Sequence, residues 1–217
     1  MKTVILNMSG VYQAEKFFPE DALTIDLQGL EGTSCYCDSE AQCQIRKAIQ
    51  GCSPRGIHWI DSGDYHYLTY FWLEKIEEPF ELLLIDNHTD DQEPAFGGDI
   101  LSCGGWVHTS RQKLGYLRKD WFTRDQLPEE LKTPGLPLYI SIDKDALTQE
   151  FARTDWNQGN LALGDLMDSL LKIGRRIIGI DVCGELSTAK GATDEDLSVN
   201  LETNSELQDF FINLPTE

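Results

Sequence analysis

The sequence predicts an α/β protein, three-layer α/β/α with a mainly parallel sheet, and three observations carry that prediction. Apolar runs such as Glu81–Ile85, Leu138–Ile142 and Arg176–Ile180 are continuous rather than alternating, as expected of strands buried on both faces. Segments with helical patterning alternate with them along the chain. Two of the runs end in acid-rich stretches, Asp86-Asn87-His88-Thr89-Asp90 and Asp143-Lys144-Asp145. The carboxyl ends of parallel strands are where open α/β sheets keep their ligands.

Taken in order, Thr3–Met8 reads as a first strand and Leu23–Leu27 as a short second one. Asp38-Ser39 offers an N-cap for a helix through about Gln50, with Glu40 and Gln42 in its first turn. Gly56–Asp61 is a strand, and Tyr65–Ile76 a helix apolar nearly all round, hence buried against the sheet. The strand ending at Asp86 follows, then a glycine-containing loop, Phe96-Gly97-Gly98-Asp99, and a helix near Ser102–Leu117. Leu127–Leu131 is a short helical piece ahead of the strand that ends at Asp143. Leu163–Ile173 is an amphipathic helix stopped by Gly174 as its C′ residue. The strand Arg176–Ile180 ends at Asp181 with Glu185 just beyond, and Ala192–Asp196 reads as a solvated acidic loop. Asn204 or Ser205 caps a last helix to about Leu214. No internal repeat or linker interrupts the pattern, so residues 1–217 read as a single domain.

The 217 residues are 41% hydrophobic, enough for an ordinary core. With 37 acidic against 18 basic residues the formal charge is -19, which argues against nucleic acid and anionic membranes, since both need a basic footprint. The first residues carry only a three-residue apolar stretch and nothing later approaches a membrane span, so the expected location is cytoplasmic. The six cysteines are then expected as thiols. Cys35, Cys37, Cys43 and Cys52 match no zinc or iron–sulfur spacing and read as small buried hydrophobes.

In D-x-H-x-D on extended chain, Asp86, His88 and Asp90 point the same way. Two bare carboxylates about 4 Å apart repel by roughly 4 kcal/mol at an effective dielectric near 20. A metal cation turns that repulsion into attraction. A mixed Asp/His set, rich in oxygen and free of thiolate, suits manganese better than a structural zinc.

Read in order, Gly63-Asp64-Tyr65-His66, Asp86-Asn87-His88-Thr89-Asp90, Ser141-Ile142-Asp143-Lys144-Asp145 and Asp181…Glu185 resemble the motifs of the arginase/agmatinase (ureohydrolase) family, over about residues 57 to 185. The resemblance implies an arginase/deacetylase-like fold holding two Mn2+ ions bridged by hydroxide. By position, His66, Asp86, Asp90 and Asp143 would hold one ion, and Asp86, His88, Asp143 and Asp145 the other, with Asp86 and Asp143 bridging. The implied reaction is hydrolysis of a C–N bond in a small cationic guanidino or amidino substrate. Asp90 would orient the hydroxide and Glu185 would pair with the guanidinium. A homo-oligomer is compatible with this reading.

The chain also departs from the family's pattern. Tyr65 intervenes before His66, Asp181-Val182-Cys183-Gly184-Glu185 has one residue more than D-x-x-E, and the chain is shorter than typical members. The position of arginase's proton-shuttle histidine falls on Cys103, and Gln92 and Asp99 stand near the places that contact arginine's α-carboxylate. His108 is a helix-surface residue that could supply the missing shuttle, His58 a satisfied core residue, and Cys183 a buried thiol close to the metals. A member that keeps metals but lacks turnover is the alternative. A zinc deacetylase of the same fold ranks last, because no His-His pair is present.

Overall fold

The computed structural model describes residues 1–94 and 100–214. The elements run β1 (Lys2–Asn7), β2 (Leu23–Asp26), β3 (Tyr36–Cys37), α1 (Ser39–Ala48), β4 (Gly56–Trp59), α2 (Leu68–Leu73) and β5 (Phe80–Ile85). They continue with β6 (Leu101–Ser102), α3 (Trp106–Lys113), β7 (Leu117–Thr123), β8 (Leu138–Asp143), α4 (Leu163–Leu170), β9 (Ile177–Cys183) and α5 (Asp194–Asn213). Seven strands form a parallel sheet in the order β2-β1-β4-β9-β8-β5-β7, and β3 and β6 make a small antiparallel pair.

Strand alternation divides the core between the two sheet faces. Ile5, Leu83, Ile85, Ile140, Ile142 and Val182 pack on one face with Leu166 of α4 and with Leu207 and Phe211 of α5. Leu6, Leu82, Leu84, Tyr139 and Cys183 pack on the other with Ile45 of α1, Leu68, Tyr70, Phe71, Trp72 and Leu73 of α2, and Trp106 of α3. The chain is therefore three-layered, as its sequence predicts. β8 and β9 are buried along their whole length, which explains their unbroken apolar runs.

Several elements differ from expectation for physical reasons. The apolar stretch from Tyr65 begins as a 3-10 turn at Gly63–Tyr65, and α2 spans only Leu68–Leu73, all buried. The helix predicted from Ser102 starts at Trp106, with Leu101–Ser102 pairing β3 instead. Its predicted end lies in β7, a partly exposed edge strand, LRKDWFT, whose charges protect the sheet edge and hide its strand character. Gly174 is not a left-handed C′ residue. It lets the chain pass Lys132, whose carbonyl oxygen would lie 2.4 Å from an added Cβ.

The acidic stretch Ala192–Asp196 is no loop. Thr193 and Asp196 form a capping box and α5 starts there, so Asn204 and Ser205 sit mid-helix. Asp38 caps α1 by accepting from the Ala41 amide, as the sequence suggests. The loop Phe96-Gly97-Gly98-Asp99, with Asp99, lies outside the described residues.

Candidate metal centre

The acid-rich segments meet at the carboxyl ends of β4, β5, β8 and β9, four neighbouring strands in the middle of the sheet. β8 delivers Asp143, whose side chain caps the following turn by accepting from the Asp145 amide. β5 delivers Asp86, which accepts from the His88 amide at 2.6 Å and so folds the D-x-H segment back on itself. The chain then reaches Asp90 with φ +47, an uncommon backbone for a residue with a side chain. Such strain persists where the surroundings over-determine it, and here the Trp106 indole N–H holds the Asp90 Oδ2 at 2.7 Å.

These residues converge. His66 Nδ1 lies 2.9 Å from Asp90 Oδ2, 3.2 Å from Asp86 Oδ2 and 3.5 Å from Asp143 Oδ2. Its one ring proton can serve only one of three carboxylates. His88 Nδ1 lies 2.7 Å from Asp145 Oδ2 and 3.6 Å from Asp86 Oδ1. Asp86 Oδ2 and Asp145 Oδ2 are nonetheless buried without a hydrogen bond. Orphaned carboxylate oxygens grouped with imidazoles are what a cation site requires. His66, Asp86 and Asp90 form one set of donor atoms within 4.8 Å of one another, and Asp86, His88 and Asp145 a second. The residues present thus fit a pair of cations sharing Asp86.

Without a cation the charges strain one another. Burial, then the charge of Asp86, pushes Asp143 up to about 6. Burial, then Asp143 and Asp86, pushes Asp145 up to about 10. Burial works against a charge on His66, but Cys183, Asp86 and Asp90 outweigh it and raise its pKa well above the ordinary value. Burial alone would raise Asp86, yet the close His66 and His88 imidazoles and the His88 amide hold it below the usual carboxylate range.

A line of partners behind the donors orients them. His66 Nε2 contacts the Ser141 hydroxyl at 2.9 Å, and Ser141 donates to Asp181 at 2.6 Å. The second ring nitrogen being occupied turns Nδ1 toward the carboxylates. This gives Ser141 and Asp181 a positioning role for His66 rather than a place among the donors.

The groups open into a cavity of about 260 Å³, lined also by Cys35, Tyr36, Gln92, Ser102, Cys103 and Trp156. Cys103 and Gln92 therefore face the cleft, as their sequence positions suggest. Burial pushes the Cys103 thiol up to about 12. Cys35, read from the sequence as a small core residue, instead joins Cys103 on the wall, where the β3–β6 pair brings them together through the Cys103 amide and Cys35 carbonyl at 2.9 Å. Cys43 is exposed, and all six thiols are free. Trp156, Tyr36 and Ser102 carry no motif signal and were missed; they arrive from loops and from the small β3–β6 pair.

Glu185 is placed differently from expectation. It is fully buried away from the cleft, accepting from Lys144 Nζ at 2.7 Å and Asn204 Nδ2 at 2.9 Å. The cause is Gly184, with φ +97 and only 2.4 Å between an added Cβ and Asp143 Oδ1. Only glycine fits this left-handed turn, and the turn swings Glu185 to the opposite face of the sheet. His108 contacts Gln112 and Asp91 on the α3 surface and does not line the cleft. His58 is the satisfied core residue expected, between the Tyr139 hydroxyl at 2.9 Å and the Ser53 carbonyl at 3.2 Å, and burial lowers it to about 3.

A sulfur atom also stands among the donors. Cys183, the last residue of β9, is fully buried with its Sγ 3.0 Å from Asp143 Oδ2, and it forms a third donor group with His66 and Asp143.

Comparison with known proteins bears on the fold. No family model matches the chain. An uncharacterized protein of Thermotoga maritima is 30% identical over 196 residues, 83% of this chain and 78% of that protein. Among solved structures, an arginase from Medicago truncatula superposes with TM-score 0.66 at 14% identity, covering 96% of this chain and 86% of that one. Proclavaminate amidino hydrolase from Streptomyces clavuligerus gives 0.65 at 14%, covering 97% and 90%. A hypothetical agmatinase from Burkholderia thailandensis gives 0.62 at 15%, covering 97% and 86%. The chain has the fold of the arginase/agmatinase family. It belongs to one sequence family with the Thermotoga maritima protein. No helix of the described residues is long and apolar enough to cross a membrane.

Proposed function

We propose that the protein is a dinuclear metal-dependent hydrolase that cleaves a C–N bond in a small amidino, guanidino or related compound, with manganese the first metal to try. The observation that carries this reading is the pair of donor groups sharing Asp86, with buried carboxylate oxygens that lack hydrogen bonds. When bound, two divalent cations would lower the pKa of a water between them and supply a nucleophile at neutral pH. His66, Asp86, Asp90, Asp143, Asp145 and His88 are the proposed holders. Asp90 also accepts from Trp106, which fixes its carboxylate at the cleft wall for orienting the attacking water. The names of the fold neighbours, arginase, agmatinase and proclavaminate amidino hydrolase, support the substrate class.

Glu185 does not serve as the guanidinium partner, so substrate orientation falls to the neutral wall of Tyr36, Gln92, Ser102 and Trp156. Its withdrawal from the cleft favours one second reading, a member that keeps its metals and binds a ligand without turnover. One experiment separates the two. The purified protein is assayed for metal content, and the metal-loaded form is screened for urea, ammonia or formamide release from amidino and guanidino compounds. Metal with release supports hydrolysis, metal without release supports the binding reading, and absence of bound metal after loading overturns both. Cys103 belongs to the same screen. A thiol pushed up to about 12 cannot shuttle protons near neutral pH, so the unmodified protein should release little urea from arginine, and Cys103→His should release more.

A further inference from the structure

Cys183 lies where no motif of the cleft demands a thiol. It ends β9 directly beside the end of β8, in register with Asp143. Its neighbour Val182 faces the α4–α5 side of the sheet, so alternation commits the Cys183 side chain to the face that carries His66 and Asp143. There it is fully buried, with Sγ 3.0 Å from Asp143 Oδ2 and all three donor atoms within 4.8 Å of one another. Donors around one tetrahedral ion, with bonds of about 2.0 to 2.3 Å, stand roughly 3.5 Å apart. The thiol is therefore at ligand spacing without any movement of the backbone.

We infer that Cys183 is a metal ligand, so that the ion beside His66 is held by nitrogen, oxygen and sulfur while the ion beside His88 is held by nitrogen and oxygen alone. The inference rests on the reading of the cleft as a metal centre. On binding, the S–H bond breaks, the metal–sulfur bond forms and the proton leaves through the cleft to solvent; no oxidant takes part. The second donor group, Asp86, His88 and Asp145, contains no sulfur. The two positions consequently differ in softness. Thiolate selects zinc, cobalt or iron(II) over manganese, whereas carboxylate and imidazole leave manganese competitive. The chain would thus hold two unlike ions, or the same ion with unlike affinity, in place of a matched pair.

Cobalt(II) is the probe, because a thiolate ligand gives it a near-ultraviolet charge-transfer band that oxygen and nitrogen ligands do not. Titrating the full chain should load two ions, the tighter one bringing the band. Cys183→Ser should abolish the band and weaken the tighter ion at least tenfold, leaving the other ion in place. Cys35→Ser and Cys103→Ser, the cleft-wall thiols, should keep the band. X-ray absorption of the zinc-loaded unmodified protein should show a sulfur at about 2.3 Å, a readout independent of whether the serine variant folds. Cobalt bound with no band, a band that survives Cys183→Ser, or a band lost in Cys103→Ser each overturns the inference while leaving the metal centre standing. A chain that binds no cobalt at all overturns the metal centre itself.

Discussion

Asp143 and Lys144 are neighbours in sequence, yet the end of β8 sends them into two different buried charge clusters on opposite faces of the sheet. Toward the cleft, Asp86, Asp90, Asp143 and Asp145 gather around His66 and His88, and two of their carboxylate oxygens have no hydrogen bond. Toward α5, Lys144 Nζ reaches Glu185 at 2.7 Å and Asn204 Oδ1 at 2.8 Å, while Asn204 Nδ2 donates to Glu15 at 2.8 Å. In this second cluster burial, then the charge of Glu185, raises Glu15 to about 9, so at neutral pH it carries a proton. One lysine then balances one carboxylate. Glu15 and Glu185 each also keep one buried oxygen without a hydrogen bond, but this cluster has a lysine built into it, whereas the cleft cluster has no lysine or arginine among its members. The same residue types make a structural strut where a cation is built into the chain, and a ligand site where the cation must come from outside.

The largest effect should come from breaking the α5 cluster. Lys144→Met leaves Glu185 buried without its cation, and removing one partner of a fully buried ion pair costs about 3 to 5 kcal/mol. Urea unfolding of the metal-free protein measures it. A loss below about 1 kcal/mol would show that Lys144 is not the charge that balances this cluster.

Breaking the cleft cluster should act on metal rather than on the fold. Asp143 stands near both His66 and the turn that carries Asp145, so Asp143→Asn should release more bound metal than Asp145→Asn, which touches only the group around His88. Metal per chain, counted in both variants after loading, checks this. Equal and full occupancy in the two would remove Asp143 from the metal-holding residues.

A pH series sharpens the contrast further. In the metal-free protein Asp143 and Asp145 are raised, to about 6 and about 10. A carboxylate whose folded pKa is raised stabilises the fold fully below its unfolded pKa near 4, and that contribution is lost as pH rises through the folded value. His66, also raised, acts in the same direction, while the lowered Asp86 contributes stability already present above about pH 4. Metal-free protein should therefore lose stability as pH rises from about 5 to about 9. Added divalent metal should recover that loss, so the melting-temperature gain should grow with pH. A gain independent of pH would separate the metal from these carboxylates.

How much of this was legible follows from which forces are local. The strand ends were readable, because burial on both faces leaves continuous apolar runs and the acids that follow have few other uses. Cys103, located by counting from His88, lines the cleft, and so does Gln92. The fate of Glu185 was not readable, because it turns on the left-handed Gly184 and on a lysine whose partner lies 60 positions away on α5. The sequence puts the Cys183 thiol close to the metals, but only the β8–β9 register sets it beside Asp143. The start of α5 was readable in principle, as Thr193-x-x-Asp196 is a capping pattern, but its charge density looks like a loop. β7 hid among its own edge charges.

The smallest effect should be a gain. Glu15 must hold a proton in the folded protein up to about pH 9, whereas in the unfolded chain it ionises near 4.5. Between those values folding requires proton uptake, which opposes it. Glutamine carries no such requirement. Its carbonyl can accept the Asn204 amide that now reaches Glu15 Oε2 at 2.8 Å, and its amide takes the place of the Glu15 oxygen that has no hydrogen bond. Glu15→Gln should thus leave stability unchanged below about pH 4 and raise it by on the order of 1 kcal/mol near pH 7, the imperfect fit of the longer amide geometry taking back part of the linkage gain. Unfolding curves of the two proteins at both pH values decide it. A variant destabilised equally at both would show that Glu15 is ionised in the fold, and the α5 cluster would then carry a surplus of negative charge.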